Sequence, residues 1–254
     1  MEILLEILMG VYCLQVIGVL IGNRMNRRKT AAGGEAPPLS IVVAARNEEK
    51  NIRSCLESLL HQDFEDYEII LVDDRSTDQT GAIAREMKPV SSRLTLLRLD
   101  QNRSGLTGKQ NALHQGILRS KGEIILVMDS DCVALPSWAS RMAQAIASGK
   151  DLVFGITRIR PIRSFWNKFE ALELNFLFTI AVGLARWGFP GSCMGNNLAF
   201  RKESYLLVGG FPAMGRQLTE DFVLLQRFSQ AGMRWTAESD TPTVTTKPSE
   251  TFAQ

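Results

Sequence analysis

Past residue 38 the chain alternates two patterns. Short unbroken apolar runs, of the kind a strand buried on both faces requires, are followed by segments whose apolar positions recur at helical spacing. The runs are Leu39-Ser-Ile-Val-Val-Ala-Ala45, Glu68-Ile-Ile-Leu-Val-Asp73, Leu94 to Leu99 and Glu123-Ile-Ile-Leu-Val-Met-Asp129. Between them, Ile52, Leu56, Leu59 and Leu60 form the buried stripe of a helix that Asn47 is placed to cap; further helices are predicted from Asp78 to Lys88, ended by Pro89, and from about Gln110 to Arg119. Strand and helix in alternation predict an α/β fold: a mostly parallel central sheet flanked by helices, Rossmann-like, with right-handed crossovers and ligands at the carboxyl ends of the strands. Three polar clusters fall at those ends: Arg46-Asn47-Glu48, Asp73-Asp74-Arg75-Ser76 and Asp129-Ser130-Asp131.

The remainder is less regular. A strand is expected at Asp151 to Thr157 and helices at Phe165 to Trp187 and Thr219 to Ala231. In the first of these helices, Phe165, Trp166, Phe169, Leu172, Phe176 and Ile180 recur at roughly helical spacing, interrupted by Glu170, Glu173 and Asn175. The pattern suits a helix lying on a membrane surface or an ordinary core helix equally well.

At the other end, the run from Ile3 to Ile21 is about long enough to cross a bilayer, with only Glu6 and Gln15 interrupting it. Glu2 precedes it, and Arg24, Arg27, Arg28 and Lys29 follow, the reverse of a cleavable leader. The predicted organisation is therefore a transmembrane helix over 1–23, a basic and Gly/Pro linker over 24–38, and a catalytic domain over 39–254. The basic flank places that domain in the cytoplasm, on a membrane, behind a single N-terminal span.

Charge and composition narrow the chemistry. In 254 residues, 29 basic against 27 acidic side chains leave a net charge of +2, which excludes the basic excess of a nucleic-acid-binding domain. Four scattered cysteines form no CxxC pair, so free thiols are expected, and two histidines are too few for a His-rich metal site. Carboxylates must carry the chemistry. Asp129 and Asp131, two apart in an extended chain, point the same way about 7 Å apart, close enough to share one cation bound to a diphosphate. Asp and Ser also build turns, but two carboxylates at a buried strand end repel each other unless a cation or base relieves them. Hard oxygen ligands suit Mg²⁺ or Mn²⁺.

Asp73 and Asp74, at the end of the second strand, can accept from a base N–H or a ribose hydroxyl, whereas Ser76 and Asp78 read as helix caps. Lys109 follows Gly105-Leu-Thr-Gly108, where a cationic tip reaches phosphate oxygens or is simply solvated. Glu220 and Asp221 open a helix, where acids are favoured by the dipole with Thr219 as cap; either also suits deprotonation of an acceptor hydroxyl. No P-loop, dinucleotide fingerprint, HExxH or nucleophile elbow occurs.

Taken in order, Val43-Ala-Ala-Arg-Asn-Glu-Glu49, Val72-Asp-Asp-Arg-Ser-Thr-Asp-Gln-Thr80, Lys109-Gln-Asn-Ala-Leu113, Asp129-Ser-Asp131, Gly195-Asn-Asn-Leu-Ala-Phe200, Gly209-Gly-Phe211 and Thr219-Glu-Asp221 resemble the family 2 glycosyltransferases with the GT-A fold. The resemblance runs from about Leu39 to Lys247. It implies a nucleotide-sugar donor, a UDP-sugar first, whose nucleoside pocket is lined by Ala44, Arg46, Glu48, Asp73 and Asp74, with Lys109, Asp129 and Ser130 near the donor. It further implies a divalent metal on Asp131 with Asp129 assisting, Asp221 as base beside Glu220, and inversion by single displacement. The acceptor expected at the membrane is a lipid or polysaccharide. The donor half would cover about 39–131 and the acceptor half 132–254. The QxxRW motif and later transmembrane helices typical of the membrane-bound, polymer-forming branch are absent before Gln254, so the chain is expected to be truncated. The alternatives are a catalytically incomplete nucleotide-sugar-binding fragment and a metal-dependent nucleotidyltransferase.

Overall fold

The computed structural model describes residues 2–24, 36–88, 91–102, 105–238 and 243–248, with the side chains of residues 2–8, 11 and 12 outside the description. A seven-stranded sheet is ordered β3-β2-β1-β4-β8-β6-β9. Its strands are β1 (Leu39–Ala45), β2 (Tyr67–Asp74), β3 (Leu94–Leu99), β4 (Ile124–Val127), β6 (Leu152–Gly155), β8 (Leu198–Arg201) and β9 (Trp235–Glu238). All neighbours are parallel except β8, which runs antiparallel to both β4 and β6. The mostly parallel α/β architecture read from the alternation is therefore the one observed.

The unbroken apolar runs have a physical cause. In β1, Leu39, Ile41, Val43 and Ala45 face one core with α2 (Ile52–Leu60), α3 (Thr80–Met87) and α5 (Trp138–Ala147), while Val42 faces a second core containing α4 (Gly108–Arg119), α7 (Lys202–Leu207) and α8 (Glu220–Gln230). Both faces of the strand are dry, so no polar alternation is tolerated. The one polar exception, fully buried Ser40, is satisfied by donating to Glu68 Oε1 at 2.7 Å and accepting from the Gly122 N–H at 2.8 Å. Helix α4 rides close on β1 and β2 because Gly116 presents no side chain: a Cβ there would collide with Val42 Cγ1.

A second, three-stranded sheet, ordered β5-β10-β7, flanks the first; its strands are β5 (Val133–Ala134), β7 (Thr157–Ile159) and β10 (Val244–Thr246). Since β5 begins two residues after Asp131, this small sheet braces the end of the Asp129-Ser130-Asp131 segment. The single strand expected over 151–157 is thus two, β6 and β7, serving different sheets.

Two local expectations are corrected. Asn47 does not cap a helix: its φ is +57°, its side-chain oxygen accepts from the Thr77 N–H at 2.9 Å, and α2 starts at Ile52 after Asn51. Thr219 precedes α8 without a side-chain cap hydrogen bond. The N-terminal run forms a helix, as expected, α1 (Glu2–Arg24). Among the described residues no helix is long and apolar enough to cross a membrane.

The last turns of α1 pack antiparallel on α6 (Phe165–Arg186). Gly22 and Gly183 let the two backbones meet, Asn23 Nδ2 donates to the Thr179 carbonyl at 2.9 Å, and Trp187 Nε1 donates to the Gly18 carbonyl at 2.9 Å. This end of the segment is docked on the domain rather than standing clear of it. Most of the linker over 24–38, and the C-terminal Ser249 to Gln254, lie outside the described residues.

Candidate active site

The carboxyl ends of β1, β2 and β4 open into a cleft of about 380 Å³ lined by Ala44, Ala45, Arg46, Glu48, Asp74, Gly108, Lys109, Asp129, Ser130 and Asp131. Eight residues singled out from the sequence thus share one cleft. A larger cavity of about 600 Å³ lies at the opposite end of the sheet, between Lys121, Glu123, Arg201 and Lys202. Parallel strands aim their functional loops at their carboxyl ends, so the smaller cleft is the candidate site.

The start of α4 sets the cleft's cation. Thr107 and Gln110 form a capping box: the Gln110 N–H donates to Thr107 Oγ1 at 3.2 Å and the Thr107 N–H to Gln110 Oε1 at 3.0 Å. The helix therefore begins at Gly108, not at Gln110, and Lys109 lies in its first turn. Its ammonium is 2.8 Å from Asp129 Oδ1 and 3.3 Å from Glu220 Oε1. Burial alone would lower the Lys109 pKa, but the two carboxylates outweigh it and hold the side chain protonated well above the usual lysine range. The lysine, 42% exposed, is a bridge between the fourth strand's acidic segment and the start of α8 rather than a lone surface cation. This contact joins segments that no local sequence pattern relates.

The second acidic pair divides. Asp74 lines the cleft beside Gly108, where any Cβ would collide with its Oδ2, and it accepts from Arg75 Nε at 2.9 Å. Asp73 is fully buried behind it: Oδ1 accepts from the Ser76 N–H at 2.9 Å and Oδ2 is 3.3 Å from Arg98 Nη1. Asp73 thus shapes the turn on which Asp74 stands and does not line the cleft. The predicted cap Asp78 accepts from the Thr80 N–H at 2.9 Å, while Ser76 instead accepts from the Asn47 N–H at 3.0 Å, tying the first two strand-end loops together.

Asp131 Oδ2 lies at the end of a long contact, 3.5 Å, from the Thr246 hydroxyl of β10. Burial, with Asp131, Asp129 and Asp78 adding like charge, pushes the Glu48 carboxyl above its usual range, opposed by the Asn51 amide. Among the described residues no cluster of three or more acidic, histidine or cysteine side chains is arranged to hold a metal ion.

Asp221 stands outside the cleft lining. Its Oδ2 accepts from the Gly195 N–H at 2.6 Å and its Oδ1 from the Phe222 N–H at 2.8 Å, so both oxygens are oriented by backbone. Glu220, 9% exposed at its side chain, is the residue that meets Lys109. Sequence reasoning missed Gln110: fully buried, it donates from Nε2 to the Gly215 carbonyl at 3.0 Å and accepts from the Gln217 N–H at 3.1 Å, fastening α4 to the segment before α8. The one available signal was Thr107 three residues upstream, a capping-box spacing. Neighbouring Asn111 has both amide atoms buried without a partner.

Comparisons with known proteins bear on the fold and the family. A 4,4'-diaponeurosporenoate glycosyltransferase from Staphylococcus haemolyticus is 28% identical over 224 residues, covering 85% of this chain and 58% of the relative. A beta-monoglucosyldiacylglycerol synthase from a Nostoc species is 27% identical over 205 residues, covering 78% of this chain and 42% of the relative. The chain thus spans about half the length of these curated relatives. Among solved structures, a mannosyltransferase from Pyrobaculum calidifontis, in complex with GDP-Man and Mn²⁺, superposes with a TM-score of 0.71 at 20% identity, covering 95% of this chain and 66% of that one. TarS from S. aureus in complex with UDP-GlcNAc gives 0.59 at 20% identity, covering 84% of this chain and 59% of that one. The fold is the GT-A fold. The family model described as Glycosyl transferase family 2 matches residues 40–207, and with two-thirds of its length inside that match the chain belongs to glycosyl transferase family 2.

Proposed function

We propose that the cleft binds a nucleotide-sugar, a UDP-sugar first, and that the chain transfers its sugar with inversion to a lipid or polysaccharide acceptor at the cytoplasmic face of a membrane, tethered by its N-terminal segment. The observation that carries the reading is Lys109, which links Asp129 to Glu220 and so puts donor-side and acceptor-side carboxylates on one ammonium.

The residues fit a divalent cation of the Mg²⁺ or Mn²⁺ kind. Such ions need only one or two protein carboxylates when substrate phosphates and water complete the shell, and Asp131 and Asp129 supply them, with Ser130 between. Burial is the main cause of the raised Glu48 pKa, and the like charge of Asp131 and Asp129 that adds to it is repulsion a cation would relieve. A bound cation supplies Lewis-acid stabilisation of the leaving diphosphate. In this reading Arg46, Glu48 and Asp74, which line the cleft with Ala44, hold the nucleoside, and Asp73 supports Asp74 from behind.

Asp221 is the proposed base. The Gly195 and Phe222 N–H groups fix its carboxylate while leaving each oxygen a lone pair. One oxygen takes the acceptor hydroxyl's proton as the acceptor oxygen bonds to the anomeric carbon. The carbon–diphosphate bond breaks, the nucleoside diphosphate leaves with the bonding pair, and the configuration inverts. Lys109 offsets the charge developing on that leaving group.

Isothermal titration with a panel of UDP- and GDP-sugars, with and without Mn²⁺, tests the donor site. Binding should require the metal and weaken at least tenfold, about 1.4 kcal/mol, in Asp131→Ala. Failure to bind any donor sinks the reading. Metal-dependent binding without release of nucleoside diphosphate, in proteoliposomes offering lipid acceptors, would favour a binding-only chain.

A further inference from the structure

The outward face of α6 carries Phe165, Phe169, Leu172 and Phe176, spaced along one line of the helix for about 16 Å. They are 72%, 52%, 66% and 59% exposed. Gly183, which receives α1, falls on the same line about five turns beyond Phe165. The last turns of α1 therefore cover one end of an apolar stripe whose other end is bare. The exposed surface continues from the stripe onto α1 itself, where Leu14, Ile17 and Leu20 are 70%, 50% and 54% exposed. An apolar surface running over two helices is far beyond the scattered exposed hydrophobics of an ordinary monomer.

The bare end is also the basic end. From Thr157 to Phe169 the chain holds Arg158, Arg160, Arg163 and Lys168, all exposed, and no acidic residue, in a protein whose net charge is only +2. Glu170 and Glu173 follow on the helix, beyond this cluster. Trp166, 56% exposed and edge-on to Phe165, adds a second aromatic at the same level. Bulky aromatics interleaved with basic side chains match the headgroup boundary of an anionic bilayer, where rings sit among headgroups and cations meet phosphates.

We propose that the amino-terminal half of α6, with the preceding Arg158–Arg163 segment, lies on the surface of an anionic bilayer as a membrane contact separate from the N-terminal segment. Helix α6 leads through residues 187–194 to Gly195, which holds Asp221, so the contact would fix how the acceptor side of the cleft faces the lipid.

The test uses the full chain with vesicles of phosphatidylcholine carrying brominated acyl chains, with or without phosphatidylglycerol. The readout is the quenched fluorescence that Trp166→Phe removes, which isolates this indole from the other three tryptophans. Quenching is expected with phosphatidylglycerol, and it should fall about tenfold or more on raising the salt or in the triple variant Arg158→Glu, Arg160→Glu, Arg163→Glu. All three sites are exposed, and an unchanged melting temperature checks that the variant folds. Co-sedimentation persisting in that variant is the N-terminal segment's share. Three results would overturn the proposal: an unquenched Trp166 on anionic vesicles that bind the protein, quenching indifferent to phosphatidylglycerol and salt, or a concentration-dependent dimer that Phe169→Ser disperses. Donor binding plays no part in the readout, so a negative outcome leaves the reading of the cleft untouched.

Discussion

At Lys109 a half-exposed cation and two carboxylates depend on one another. Replacing it with Met leaves Glu220, almost fully buried, without its counter-charge. Orphaning a buried charge costs about 3–5 kcal/mol, but Lys109 is 42% exposed, so solvent screening reduces the expected loss to about 1–2 kcal/mol. Adding Glu220→Gln should recover much of that loss, a coupling that denaturant midpoints of the two single variants and the double variant would measure. His114 offers a pH signature. Burial lowers its pKa from the ordinary 6.5, and its Nδ1 lies 2.8 Å from the Tyr205 hydroxyl. Below about 6.5 the unfolded chain takes up a proton that the native state resists, so the unfolded state binds more protons and stability falls with pH in that window, with no such penalty above it. His114→Gln should flatten that acid-side slope, read from urea midpoints measured across it. Asp73 shows where residue-level reading stops. Its sequence neighbours are those of Asp74, but its partner Arg98 comes from the adjacent strand, in direct register at Asp73↔Arg98. Only the pairing of β2 with β3 separates a structural aspartate from one facing the cleft.

At the scale of elements, boundaries follow caps that are written in short spacings, and docking follows small residues whose partners are distant. Thr107 and Gln110 start α4 early enough to carry Lys109 into its first turn. Gly183 makes the opposite point. In an isolated helix Gly→Ala would stabilise by up to about 1 kcal/mol. Here the added Cβ would lie 2.8 Å from both Val19 Cγ1 and the Val19 carbonyl oxygen. Overpacking of this kind costs about 1–3 kcal/mol, so it outweighs the propensity gain. Gly183→Ala should therefore lower the melting temperature and speed tryptic cleavage after exposed Arg24; unchanged cleavage would argue against the docking of α1 on α6. The aromatic spacing of α6 alone suits a core helix as well as a surface one. The choice was made by Ala171, Phe178, Ala181 and Val182, which take the inward face and leave Phe165, Phe169 and Phe176 outside.

For the molecule as a whole, ligand linkage gives the broadest check. A donor–metal pair that binds only the native state at a hundred times its Kd should add about 2.7 kcal/mol of stability. The melting temperature should rise with Mn²⁺ and a matching nucleotide-sugar together, and return to its starting value with chelator or in Asp131→Ala. By itself the sequence determined the α/β alternation, the strand ends that bear Arg46, Glu48, Asp74 and Asp129-Ser130-Asp131, and the family, because buried strands, helix periodicity and loop chemistry are all short-range patterns along the chain. The tertiary structure alone decided that Lys109 unites Asp129 with Glu220, that Gln110 fastens α4 to the segment before α8, that Asp73 is withdrawn, and that α1 lies on α6. Each of these is a contact between segments distant in the chain, fixed by strand order, register and close glycine packing, and the local spacing of residues carries no record of such contacts.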